Sequence, residues 1–131
     1  MYTYNAVITN IVDGDTYDVD IDLGFHIHIH ERIRLLNLDT PECRGEEKNL
    51  GRICKEYAEH HFLNKEILLK SEEEIKEPKT DSFGRWLCRV FLDSNKLSIT
   101  KIFSDLGCNK LEDNYSEENV RKLSMYAYYW E

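Results

Sequence analysis

At 131 residues, with 41% hydrophobic and 32% charged residues, the chain has the composition of a globular protein whose core is large enough to fold without disulfides or a structural metal. No apolar run approaches a membrane span and the first residues lack the basic and apolar regions of a signal peptide, so a cytoplasmic protein away from membranes is expected. The formal net charge of −8 argues against a broad electrostatic footprint on a phosphate backbone.

Two prolines and six glycines leave little room for a long linker, and a single domain over residues 1–131 is expected. Cys43, Cys54, Cys88 and Cys108 show no C-x-x-C spacing and fall in different predicted elements, which favours free thiols over disulfides.

Tyr4 to Val12, with Ala6, Ile8 and Ile11, predicts a strand, and Asp13-Gly14-Asp15-Thr16 after it is a hairpin signal that a plain turn would satisfy. From Tyr17 to Leu23 the alternation is clean, with Tyr17, Val19, Ile21 and Leu23 on one face and Asp18, Asp20 and Asp22 on the other. Gly24 turns the chain, and Phe25, Ile27, Ile29 and Ile33 are expected inward. His26, His28 and His30 then face outward, opposite Asp22, Asp20 and Asp18. Three histidines along one strand fan out in a line, whereas zinc ligands converge from several elements, so a solvated ladder of Asp and His pairs is expected.

Arg34 to Glu42 packs a short apolar run, Leu35, Leu36 and Leu38, against a cluster of charge. A guanidinium is costly to bury alone, so Arg34 must meet a carboxylate or a bound anion. Asp39 and Glu42 supply carboxylates, and Pro41 between them lacks an N–H and biases Thr40 away from the helical region, which stops the strand and fixes the turn. A polar loop from Cys43 to Asn49 precedes a helix over Leu50 to Leu63, whose apolar residues recur at three- and four-residue steps.

Ile67 to Leu69 predicts a strand, Glu72 to Lys79 a charged connection, and Asp81-Ser82-Phe83-Gly84-Arg85 a turn into a strand over Trp86 to Leu92. A helix follows over Leu97 to Leu106, with Ser98 as N-cap and Gly107 as its stop. Ser116 caps a last helix whose Val120, Leu123, Ala127 and Trp130 share a face, and Glu117 and Glu118 suit its N-terminal dipole. This order predicts an α+β fold, a five-stranded Greek-key barrel of the OB type with three helices packed against it.

The succession of Asp13-Gly14-Asp15-Thr16, then Arg34-Leu35-Leu36-Asn37-Leu38-Asp39-Thr40-Pro41-Glu42, then Asp81-Ser82-Phe83-Gly84-Arg85 resembles the staphylococcal nuclease (thermonuclease) family, over nearly the whole chain. The resemblance implies an OB barrel and calcium-dependent hydrolysis of DNA and RNA phosphodiesters to 3′-phosphate ends. It makes Asp15 and Asp39 the carboxylate ligands of calcium, with the Thr40 carbonyl as a further ligand and Asp13 just behind them. Glu42 becomes the general base, Arg34 and Arg85 the pair on the phosphate, and Tyr115 a nucleotide contact.

One departure stands out. Where basic members of that family carry a lysine-rich loop, this chain has Arg44-Gly45-Glu46-Glu47-Lys48, so Glu46 and Glu47 are expected to border the substrate path. The acidic charge favours an alternative class, a nuclease-like OB module that binds nucleic acid or a protein partner without cutting. The matching Asp15, Arg34, Asp39, Thr40, Glu42 and Arg85 oppose it and favour a monomeric nuclease acting on DNA or RNA.

Overall fold

Period-two burial shapes the first half of the chain. Ala6, Ile8 and Ile11 of Thr3–Asp13 (β1), Tyr17, Val19 and Ile21 of Thr16–Asp22 (β2), and Ile33 and Leu35 of His28–Leu35 (β3) all enter one core. The structure is a computed structural model that describes residues 3–71, 85–92 and 97–126. β1 pairs antiparallel with β2 and with Glu66–Ser71 (β4), β2 with β3, and β4 with Trp86–Leu92 (β5). A parallel pairing of Ile33, Arg34 and Leu35 with Trp86, Leu87 and Cys88 joins β3 to β5 and closes the five-stranded barrel. Leu97–Ser98 (β6) adds a two-residue strand on β5, which the sequence did not signal.

Three helices accompany the barrel, as expected, two of them packed on its strands and the last packed on the first. Lys48–Phe62 (α1) begins two residues before the expected start and buries Gly51, Cys54, Ala58 and Phe62 along one face. Ser98 caps Ile99–Asp105 (α2) by accepting the Lys101 N–H at 3.0 Å. At the other end Cys108 N donates to Phe103 O and Gly107 N to Ser104 O, the double bond of a Schellman stop, with Gly107 at φ 76°. Ser116 caps Glu117–Tyr126 (α3) through the Asn119 N–H at 3.1 Å. The connection expected over Glu72 to Lys79, the turn over residues 81–84, and Ala127 and Trp130 of the last helix lie outside the described residues.

The β2–β3 hairpin departs from expectation twice. Its turn spans Gly24, Phe25 and His26, all at positive φ, with Leu23 N donating to Ile27 O and Ile27 N to Gly24 O. The three-residue turn shifts the register by one pair, so His28 stands opposite Asp22, His30 opposite Asp20, and Arg32 opposite Asp18. Phe25, Ile27 and Ile29, expected inward, are 95%, 54% and 37% exposed. The hairpin projects past the barrel, and the alternation that sets facing cannot supply a neighbour above the face.

Phe103, fully buried and edge-on to Tyr57 and Phe62, should cost about 3–5 kcal/mol on replacement by Ala, whereas Phe25→Ser should change urea-unfolding stability by less than about 0.5 kcal/mol. Separately, Arg32 grips Asp18 with Nε at 2.7 Å and Nη2 at 3.1 Å, which with Asn10 holds the Asp18 carboxyl below its usual value. A lowered folded pKa contributes stability above the unfolded value of about 3.9 and loses it as pH falls through the folded value. The contribution should stay under about 1 kcal/mol at this surface. Arg32→Gln should raise the Asp18 titration midpoint in carboxyl NMR, and its stability deficit should be present at neutral pH and vanish in acid.

Candidate active site

The β1–β2 turn carries Asp15 into the barrel mouth, where it is only 4% exposed. Its Oδ2 accepts the Thr40 N–H at 3.0 Å and its Oδ1 accepts the Thr16 hydroxyl at 3.1 Å. Gly14 is required there for room: a Cβ would lie 2.6 Å from Thr40 Oγ1. Because Ile33 and Leu35 face the core, Arg34 between them points to the opposite side of β3. Its Nη2 reaches Asp15 Oδ2 at 3.3 Å, Asp39 Oδ1 at 3.4 Å and the Leu38 carbonyl at 3.3 Å. Arg85, at the entrance to β5, donates from Nη1 to Thr16 Oγ1 at 3.2 Å, and Thr16 is itself the register partner of Arg34. Two arginines from different strand ends therefore converge on the Asp15 turn.

The segment from Asp39 to Cys43 belongs to no helix or strand, yet each of its four N–H groups is held by a side-chain oxygen. Asp39 N donates to Asn109 Oδ1 at 3.0 Å, Thr40 N to Asp15, Glu42 N to Glu47 Oε2 at 3.1 Å, and Cys43 N to Asp13 Oδ1 at 3.3 Å. Pro41 contributes no fifth donor. The Asp39 carbonyl accepts the Lys110 N–H at 2.8 Å. Helix α1 presses on the turn from behind, where a Cβ on Gly51 would lie 2.0 Å from the Glu42 carbonyl oxygen. Glu42 itself is exposed.

Electrostatics set the tone of the site. Burial raises the Asp15 carboxyl above its ordinary value, against the lowering pull of Arg34 and the Thr40 N–H. The protein's own groups leave that charge undercompensated. Asp15, Asp39 and the Thr40 main-chain carbonyl are oxygen donors of the kind a hard divalent cation such as calcium takes. Asp15 and Asp39 reach the same guanidinium nitrogen, so the two carboxylates already converge. Among the described residues no three His, Cys, Asp or Glu side chains form a metal cluster, so a cation here would rest on two side chains plus main-chain, water and substrate oxygens. Thiol chemistry finds no place beside them: burial and the neighbouring Asp13 push Cys43 up to about 12.

A family profile for staphylococcal nuclease homologues matches residues 32–128. The chain belongs to that family. Among curated relatives it is 28% identical to a thermonuclease of Staphylococcus intermedius, over 71% of this chain and 52% of the relative. An uncharacterised protein of Bacillus anthracis is 32% identical over 80% of this chain and 46% of its own length, and one of Methanocaldococcus jannaschii 27% identical over 70% and 50%. The chain thus spans about half the length of the curated relatives it matches. The nuclease-family match begins at Arg32, so the association of Asp13 and Asp15 with the remaining residues is seen in the geometry, which brings both to the turn after β3.

Arg34, Asp39, Thr40, Arg85 and Asp15 form one contact network, with Asp13 bound to the back of the turn and Glu42 on its rim. Among the described residues, Tyr115 makes no hydrogen bond to that network. It is half-buried against the core within electrostatic reach of Glu47 and Lys110, and burial with the Glu47 charge raises its hydroxyl. Glu47, expected along the substrate path, accepts the Glu42 N–H and Lys110 Nζ, the latter at 2.7 Å, and Glu46 is the more exposed acid of that pair.

Asn109, Lys110 and Gly51 carried no signal in the sequence. Asn109 is fully buried and fills every valence of its amide: Nδ2 donates to Asn37 O and Ser104 Oγ, each at 2.9 Å, and Oδ1 accepts from Asp39 N and Leu111 N. Asn109→Ala would remove four part-buried hydrogen bonds at once, so unfolding in urea should show a loss of about 2–4 kcal/mol. A loss under about 1 kcal/mol would mean that the turn rearranges to replace them.

Proposed function

We propose that the chain is a calcium-dependent nuclease that hydrolyses phosphodiester bonds of DNA or RNA as a monomeric single domain. The observation that supports this most is the meeting of Asp15 and Asp39, from two separate turns, on one nitrogen of Arg34, with Arg85 alongside through Thr16. Asp15, Asp39 and the Thr40 carbonyl would hold the cation, with Asp13 maintaining the turn behind them. When bound, calcium supplies positive charge to a phosphate oxygen and to the developing transition state.

The chain's own residues do the rest. Glu42, exposed on the rim, takes the proton from the attacking water as its oxygen bonds to phosphorus. Arg34, with its two carboxylates neutralised, exchanges them for equatorial phosphate oxygens, and Arg85 joins it. Both guanidinium forks bind most strongly when those oxygens carry the extra charge of five-coordinate phosphorus. The bond to the 5′-oxygen breaks, Arg85 stabilises the departing oxygen until solvent protonates it, and a 3′-phosphate end remains. The net charge of −8 favours a second reading, an OB module that binds without cutting.

Cleavage of fluorogenic single-stranded DNA separates the two. The purified chain should cut with calcium and stop with excess chelator. Under single-turnover conditions Glu42→Gln should lose ~10²–10⁴ in rate while keeping its unfolding midpoint. Arg85→Lys, which keeps charge but loses the fork, should also fall sharply. Undiminished cleavage in chelator, or wild-type rates in Glu42→Gln, would overturn these roles; binding without cleavage would support the second reading.

A further inference from the structure

We propose that Glu47 is the positioning residue for Glu42: its carboxylate, fixed at one oxygen by Lys110, holds the Glu42 main chain with the other and so sets where the base stands. This rests on the reading of Glu42 as general base. An exposed glutamate takes its direction chiefly from the backbone that carries it, and that backbone is fixed on both sides. Its N–H donates to Glu47 Oε2 at 3.1 Å, and its carbonyl lies against Gly51, where only a hydrogen fits. The bond from Glu42 to Glu47 ties the intervening loop into a closed ring at the entrance to α1.

A lone surface carboxylate would be a loose tie, because its rotamers and its water are both in competition. Lys110 removes that freedom. Its Nζ donates to Glu47 Oε1 at 2.7 Å, a short charge-assisted bond, while its own N–H donates to the Asp39 carbonyl at 2.8 Å. One residue between α2 and α3 thereby couples Asp39, on the cation side, to Glu42, on the water side. Misplacing a reacting group by about 1 Å can cost on the order of 10²-fold in rate, which gives this link its leverage on turnover.

The test uses the full chain with calcium and fluorogenic single-stranded DNA, comparing wild type, Glu47→Ala, Glu47→Gln and each change in a Glu42→Gln background. Glu47→Ala should lower kcat by ~10–100-fold with KM unchanged. Glu47→Gln keeps one oxygen for the Glu42 N–H but sets an NH2 against Lys110 Nζ, so it should recover part of the rate and stay below wild type. With the base already gone, Glu47→Ala should add almost nothing, since residues acting as one unit are not additive. In Glu47→Ala the Glu42 amide should also exchange its hydrogen faster. Equal losses with and without the Glu42 carboxylate, or an effect on KM alone, would make Glu47 a general brace and overturn its positioning role. Wild type that does not cleave in calcium would overturn the nuclease reading and this role with it; active wild type with an equally active Glu47→Ala would overturn the positioning role alone.

Discussion

A single buried carboxylate, Asp15, ties the mouth of the barrel together. It is 4% exposed and cannot stand as an isolated charge, so its oxygens must be met by the Thr40 N–H, the Thr16 hydroxyl and the Arg34 guanidinium. Those three groups come from the turn after β3, the start of β2 and the end of β3. Remove the acid and each loses its reason to be there. The closeness this demands is visible in Thr40, whose hydroxyl is buried without a hydrogen-bond partner among the described residues and sits where a side chain on Gly14 would go. A desolvated hydroxyl costs about 1–3 kcal/mol, a penalty tolerated where backbone position matters more than local satisfaction.

The turn from Asp39 to Cys43 extends the same logic. A stretch without ladder partners must find its hydrogen bonds one at a time, and here four side chains supply them: Asn109, Asp15, Glu47 and Asp13. Asn109 follows α2, Glu47 opens α1, and Asp13 and Asp15 flank the first hairpin turn, so the backbone that carries the Asp39 and Glu42 carboxylates is held by several separate elements. Fold and site are not separable at this point. Loss of any one of these oxygens should be felt both in stability and in the placement of the acids.

Much of this architecture was legible in the sequence because it rests on local rules. Alternation at Tyr17, Val19 and Ile21 set the facing of β2, Pro41 marked the turn, and Ser98, Gly107 and Ser116 marked helix ends that the structure places as expected. The hairpin register was not legible, because the turn uses positive φ at Phe25 and His26, residues that do not announce that conformation as glycine does. Nor could alternation tell that Phe25, Ile27 and Ile29 extend past the barrel, since parity fixes direction and says nothing of what lies there. Asn109 and Lys110 matter through contacts with residues far away in the chain, and no spacing within one segment encodes such a contact; Gly51 matters through the fold of the loop back onto Glu42, which spacing does not encode either.

Where the charge lies bears on how an acidic chain could meet a polyanion. Asp18, Asp20 and Asp22 run along β2 away from the site, and Arg32 and His28 already face two of them. At about 3.3 Å per residue, Asp22 stands roughly 20 Å from Thr16, beyond the ~10 Å Debye length at 0.1 M salt. The charge of Asp22 is thus largely screened from a phosphate at the barrel mouth. The local balance is different in kind: Arg34, Arg85 and Lys110 share that region with Asp13, Asp15, Asp39, Glu42 and Glu47, and the bases are already engaged with Asp15, Asp39, Thr16 and Glu47. With its arginines so committed, the site by itself has little positive field to offer an anion. Meeting the charge of Asp15 and Asp39 with something other than Arg34 would free its Nη2 for phosphate, which makes the undercompensated Asp15 a group on which affinity for a nucleic acid would depend.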